Sequence, residues 1–257
     1  MSAHVDAAVE WLGRRLAESA ARGFVVGLSG GVDSAVVLRL CQSAASEHVV
    51  GVIMPCHSDP RDEEDARLVA DHFRISTVRV DLGSTYDHLT EVLRQPMLAL
   101  PERHFPDLAH GTEDIRAQVP RANIKPRLRM TTLYFLANTL NYLVAGTGNR
   151  SELAIGYFTK YGDGGVDLLP IGGLLKSEVV AAARELGVPE SIIAKAPSAG
   201  LWLGQMDEVE MGFTYDQLEQ HLTNGPGAIS PALAMRIERL IRASEHKRAL
   251  PPTPGHA

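Results

Sequence analysis

Apolar residues fall along this chain in two rhythms. Val5, Ala8, Val9, Leu12 and Leu16 recur at helical spacing and predict a helix over 5–21. The segments 23–28, 49–54, 77–80 and 142–146 are short, rich in Val, Leu and Ile, and bounded by Gly, Pro or polar residues, which predicts strands. Between and after them, helical spacing predicts helices from 35 onward, over 59–73, 126–141, 177–186, 214–222 and 230–244. Strands alternating with helices imply βαβ units. The expected fold is therefore α/β: a doubly wound open parallel sheet with helices on both faces, in a single domain.

Two stretches break the rhythm. Over 83–122, Pro96, Pro101, Pro106 and Pro120 interrupt the pattern, with His104 and His110 between them; a short helix near 86–94 followed by a mobile loop is expected. Residues 156–172 are Gly-rich and polar, more like a site loop than a core element. The domain is expected over 1–250, and the Pro-rich tail 251–257 is expected to fray.

Composition narrows the class. A chain of 257 residues with 45% hydrophobic and 22% charged content is ordinary for a globular protein. A net charge of -6 and the lack of a long basic run argue against nucleic-acid binding through phosphate contacts. No long apolar stretch and no signal-like N-terminus occur, so no membrane span is expected and the location is expected to be cytoplasmic. Cys41 and Cys56 are too few for a disulfide framework; Cys41 reads as a core residue and Cys56 lies just past a strand end.

The candidate chemistry starts at Ser29-Gly30-Gly31-Val32-Asp33-Ser34, between the first strand and the helix after it. Glycines on such a turn let backbone N–H groups face inward, and a helix N-terminus adds positive potential, so the turn can hold a phosphate. Ser29 and Ser34 add hydroxyls, and Asp33 adds a carboxylate able to hold Mg²⁺. The bland alternative is a tight turn with Asp33 and Ser34 as helix caps. A second turn, Gly146-Thr147-Gly148-Asn149-Arg150-Ser151-Glu152, follows the fourth strand. Ligands in open parallel sheets sit beyond strand carboxyl ends, so Asp33 and Glu152 can converge around a cation; equally, Glu152 reads as a solvated first-turn acid. Lys176, and His246 with Lys247, also have bland readings as solvated helix-end residues.

The first loop resembles the SGGxDS loop of the ATP pyrophosphatase (PP-loop) superfamily, with its adenine nucleotide α-hydrolase-like fold. The run Gly156-Tyr157-Phe158-Thr159-Lys160-Tyr161-Gly162-Asp163-Gly164-Gly165-Val166-Asp167 resembles the signature of ammonia-dependent NAD⁺ synthetases. Asn123-Ile124-Lys125-Pro126-Arg127-Leu128-Arg129-Met130, Pro197-Ser198-Ala199-Gly200-Leu201 with Asp207-Glu208, and Ser244-Glu245-His246-Lys247-Arg248 complete that pattern in family order.

This resemblance implies an ATP-dependent amidation of deamido-NAD⁺ by ammonia to NAD⁺, AMP and pyrophosphate, the last step of NAD⁺ biosynthesis. It implies Asp33 and Glu152 as Mg²⁺ ligands. Ser29, Gly30, Gly31, Val32, Asp33, Ser34, Thr147, Lys176 and Ser198 match ATP-contacting positions. Asn123, Arg127, Tyr134, Lys160, Asp163, Asp167, His246 and Lys247 match the deamido-NAD⁺ set, and Asp163 is the candidate for orienting or deprotonating ammonium. The resemblance also implies a homodimer, with the dinucleotide near the interface and the helix from Arg127 contributing across it. Ser198 stands where many members have threonine and Pro126 where alanine is common; the first keeps the hydroxyl, and the second suits a helix first turn. Competing readings are a GMP-synthetase-like amidating domain, a tRNA sulfur-transfer enzyme and a non-catalytic nucleotide sensor. A lid over ATP is expected at 199–211, with Gly200 and Gly204 as hinges.

Overall fold

The computed structural model describes residues 3–101, 115–198, 200–202 and 204–254. Helix α1 (Ala3–Ser19) leads to β1 (Phe24–Leu28), α2 (Val32–Ala45), β2 (Val49–Ile53), α3 (Pro60–Phe73) and β3 (Thr77–Arg79). Helices α4 (Gly83–Leu98), α5 (Ile115–Ala122) and α6 (Ile124–Leu140) then feed β4 (Leu143–Ala145). The chain ends in α7 (Arg150–Ile155), α8 (Lys176–Glu185), α9 (Glu190–Ile193), α10 (Asp207–Met211), α11 (Tyr215–Asn224) and α12 (Pro231–Ala243), with a 3₁₀ turn at Glu245–Lys247.

The four strands are parallel, in the order β3-β2-β1-β4. Side chains alternate across the sheet. Phe24, Val26, Leu28, Val49, Ile53 and Ala145 face one layer, packed with residues of α1, α2, α3, α8 and α9. Val25, Val52 and Val144 face the other, packed with Leu133, Leu136 and Ala137 of α6. The sheet is thus doubly wound, and the winding reverses between the neighbours β1 and β4. A third apolar cluster joins Ile155 of α7, Met211 of α10, Leu218 of α11 and Ile237 of α12, and sets the C-terminal helices beside the β4 turn.

Local sequence explains the helix starts. Pro60 opens α3, and Asp59 caps it by accepting from Arg61 N at 3.0 Å. Asn149 and Glu152 form a reciprocal capping box that starts the six-residue α7.

The helix expected near 86–94 is present and longer, and over 95–98 and 115–122 helix replaces the expected loop. α4 runs on to Leu98 with Pro96 inside it, and Pro120 lies inside α5. Both prolines sit in the last turn of their helices, where each gives up its own bond to the carbonyl four residues earlier and the helix stops two residues on. Residues 102–114, including His104 and His110, lie outside the described residues, as do Ala199, Leu203 and 255–257. Cys41 is fully buried, as expected of a core residue. No helix of the described residues is long and apolar enough to cross a membrane.

Candidate active site

A cavity of about 430 Å³ opens where the loops leave the carboxyl ends of β1, β2 and β4. Its floor is the loop after β1. Gly30 sits at φ +77°, and a Cβ there would lie 2.5 Å from Asp62 O, so a side chain at this position is excluded twice over. Ser34 Oγ donates to Gly31 O at 2.8 Å, and Gly31 N donates to Ser29 Oγ at 3.3 Å, which fixes the turn. Gly31 is the N-cap of α2 and supplies no side-chain acceptor. The first-turn N–H groups of a buried fourteen-residue helix are thus left for a ligand at the cavity edge.

Asp33 is not a cap. Its Oδ2 accepts from Lys176 Nζ in a short ion pair, and its Oδ1 accepts from Asn149 Nδ2 at 3.0 Å. Asn149, wholly buried, also donates its backbone N–H to Glu152 Oε2 at 3.1 Å. One asparagine therefore carries both candidate metal ligands. Burial, then the Asp33 charge, push the Glu152 pKa up to about 8, because two carboxylates share one lysine. Burial alone would lower the Lys176 pKa, yet Asp33 and Glu152 hold it above its usual value. The solvated-lysine reading of Lys176 is overturned: it is 7% exposed. The first-turn reading of Glu152 holds in part, since it closes the capping box, but it is not a solvated acid.

Ser29, Gly31, Val32, Asp33, Thr147, Glu152, Lys176 and Ser198 line the cavity, as do Asn123, Asp163 and Lys247. Gly30 and Ser34 support the loop from behind. Asp163 Oδ1 accepts from Thr159 N at 2.9 Å, and Thr159 Oγ1 donates to Asn123 Oδ1 at 2.7 Å, so the Gly-rich run is tied to the turn before α6. The protein packed around Asp163, whose side chain stays exposed on the wall, pushes its pKa up. Lys247 spends its amine on Gly156 O and Phe158 O, each at 2.7 Å.

The remaining expected dinucleotide positions do not line the cavity. Arg127 is exposed and reaches Lys160 O at 3.4 Å. Lys160 Nζ donates to His246 O, and the His246 side chain is exposed. Tyr134 donates to Asp167 Oδ1 at 3.0 Å while Asp167 Oδ2 accepts from Val144 N at 2.8 Å, which pins α6 to β4.

Other residues at the site carried no assignment from sequence. The Asn-x-x-Glu spacing of Asn149 and Glu152 was a readable capping signal. Lys125 and Arg129, one turn apart on α6, bond only neutral acceptors: Leu201 O at 2.7 Å for the first, Met54 O at 3.3 Å and Ser58 Oγ at 3.1 Å for the second. Burial pushes both pKa values down. Asp207, also buried in the wall, accepts from Tyr157 at 3.2 Å and Tyr215 at 3.0 Å. Their separation in sequence hides this contact. Lys195 pairs with Asp62 at 2.9 Å and Asp65 at 2.6 Å, joining the segment after α9 to α3.

A doubly wound sheet with an uncapped, glycine-turned helix N-terminus at its switch point is a phosphate-binding architecture. The model of the family described as NAD synthase matches residues 4–251, and the chain belongs to that family. An NH(3)-dependent NAD(+) synthetase of Carboxydothermus hydrogenoformans is 52% identical over 96% of this chain and 94% of its own length. The solved NMN synthetase from Francisella tularensis matches with TM-score 0.86 at 34% identity, covering 98% of each chain. The NH3-dependent NAD synthetase from Campylobacter jejuni matches with TM-score 0.77 at 27% identity, covering 99% of this chain and all of that one.

Proposed function

We propose that the chain catalyses ammonia-dependent NAD⁺ synthesis by ATP-dependent amidation of deamido-NAD⁺, releasing AMP and pyrophosphate. Family membership supports NAD⁺ synthesis and an ATP co-substrate. The observation that carries the chemistry is the Asp33–Asn149–Glu152–Lys176 cluster beside the uncapped N-terminus of α2.

The substrate carboxylate is a poor electrophile. Its oxygen attacks the α-phosphorus of ATP, the bond to the bridging oxygen breaks, and pyrophosphate leaves. Ammonia then adds to the acyl carbon, the bond to AMP breaks, and the nitrogen loses a proton. Negative charge builds up where carboxylate meets phosphate. Loop N–H groups and the Lys176 amine face that charge from fixed positions, which is where preorganised donors act most strongly. Ser29, Gly30, Gly31, Val32, Ser34, Thr147 and Ser198 frame the ATP phosphates and adenosine. Asp163, set in the cavity wall by Thr159, orients the incoming ammonium.

Among the described residues no group of three or more His, Cys, Asp or Glu is placed for a metal. The pair Asp33 and Glu152 nevertheless fits Mg²⁺: both are hard oxygen donors, and the raised Glu152 pKa marks a place short of positive charge. A bound Mg²⁺ would neutralise the phosphates there.

Asn123 and Lys247 in the wall, with Arg127, Tyr134, Lys160, Asp167 and His246 on the adjoining face, are proposed to hold the dinucleotide. That face includes Phe135, 71% exposed on α6, which supports a second copy of this chain packing there as a homodimer. A cytoplasmic location belongs to the same reading.

The test is product analysis with pure protein, ATP, Mg²⁺, ammonium chloride and deamido-NAD⁺. Equimolar NAD⁺, AMP and pyrophosphate are expected; ATP binding without NAD⁺ would sink the assignment. Likeness to an NMN synthetase favours a second reading, with nicotinate mononucleotide as acceptor. Parallel reactions with the two acceptors separate them by kcat/KM.

A further inference from the structure

Two reactive side chains of the cluster stand at helix starts: Glu152 in the first turn of α7 and Lys176 at the first position of α8. The start of α8 is only half served by its own sequence: Glu178 accepts from Leu175 N at 2.7 Å, but the N-cap position offers nothing in return. Leu175 precedes it and has no polar side chain to accept from the first-turn N–H groups. A lysine there also faces the positive end of the helix dipole.

The missing acceptor comes from α11. Glu219 Oε1 accepts from Ser177 N at 2.9 Å and Oε2 from Ser177 Oγ at 2.5 Å. Ser151 Oγ on α7 donates to Glu219 Oε1 at 3.5 Å and accepts from Lys176 N at 3.2 Å. One carboxylate thus clamps the first turns of α7 and α8 together. One helical turn earlier on the same face of α11, Tyr215 lies under the Lys176 ammonium, 5.5 Å from ring centroid to Nζ. α11 therefore supports Lys176 twice: its flanking backbone, through the bonds of Glu219 to Ser177 and Ser151, and its side chain through Tyr215. Glu219 does not line the cavity, so it meets neither ATP nor the acceptor.

We infer that Glu219 is a positioning residue for the reaction, holding α7 and α8 so that Glu152 and Lys176 converge on Asp33. The inference rests on the proposed role of Lys176 toward ATP. Its charged acceptor also offsets the positive dipole ends of two helices and the lysine between them.

The test is a double-mutant cycle on ATP affinity, measured by titration calorimetry with Mg²⁺ present, so that no variant needs to turn over. Glu219→Ala is expected to weaken ATP binding about fivefold or more in the wild-type background, and less than about twofold in a Lys176→Ala background. Glu219→Gln keeps an oxygen for Ser177 N and is expected to recover most of the loss. Equal fold-losses in the two backgrounds, or unchanged binding by Glu219→Ala, would overturn the inference. Should Glu219→Ala fail to fold, Glu219→Asp, whose shorter side chain cannot span both helices, carries the same cycle, with Glu219→Gln as its rescue control. Wild-type protein that binds ATP but forms no NAD⁺ would fail the proposed reaction and leave this cycle readable.

Discussion

Two regions of the proposed site are built on opposite plans. At the β1/β4 junction, Asp33 from α2, Asn149 and Glu152 from the start of α7, and Lys176 from α8 come from three segments and meet in a largely buried, mutually bonded cluster. On the adjoining face, Arg127, Lys160 and His246 lie toward solvent, and the contacts of the first two are with main-chain carbonyls. The first region holds like charges close at a cost to folding, which is what a charged transition state would repay. The second leaves its cations for an occupant to complete, the cheaper plan for the parts of a substrate that only bind. The contrast teaches which losses belong in kcat and which in KM.

Lys176→Ala should sharpen the contrast most. It removes the ammonium facing Asp33 and is expected to lower kcat by about 10²–10³, measured by NAD⁺ formation at saturating substrates. An equal kcat loss in Arg127→Ala would erase the distinction.

The next effect is on pH. The Glu152 pKa is raised from an ordinary 4.5 to about 8, so between these values the folded protein binds more protons than the unfolded chain. Stability of the metal-free protein therefore falls as pH rises through this window and levels off above it. Asp163 is shifted in the same direction. Thermal unfolding from pH 5 to 8 without metal should show the slope, and Glu152→Gln should flatten it. A slope unchanged in Glu152→Gln would place the proton elsewhere.

For Arg127→Ala, the expected change is a rise of about tenfold in KM for the dinucleotide with little change in kcat, from loss of the guanidinium proposed to grip its phosphates. Initial-rate kinetics at varied dinucleotide would show it. The smallest effect belongs to Tyr134→Phe, which deletes the bond to Asp167 and should cost about 1 kcal/mol in urea unfolding. A far larger loss would mean that the exposed face is built into the fold as firmly as the buried cluster.

Much of the architecture was legible because short bounded apolar runs and period-3.6 patterns are local. All four strands and the helices flanking them follow from such patterns, and β1 beside β4 follows from parallel winding. Short helices were harder. α7 has six residues and α10 five, too few to show a period, and they are held by a capping box and by packing on α11 and α12. Pro96 and Pro120 were overweighted as breakers because their distance from the helix end was not visible. In the site, the two turns marked Asp33 and Glu152 and the family resemblance marked Lys176, but the shared dependence of Asp33 and Glu152 on Asn149 is a fact of three dimensions. Phe135 is exposed, and helical spacing alone does not say which face of α6 is covered.

Lys247 closes the cavity wall through Gly156 O and Phe158 O, and behind it a Cβ on Gly156 would lie 2.1 Å from Ser244 Cβ. The phosphate loop near residue 30 and this lysine stand far apart in the order of synthesis. A chain emerging from the ribosome displays the loop early and lacks this wall until Lys247 has also been made. Contacts of such long range also slow folding. Partial products of translation or proteolysis that stop short of Lys247 would thus carry the loop inside an open, leaking vessel.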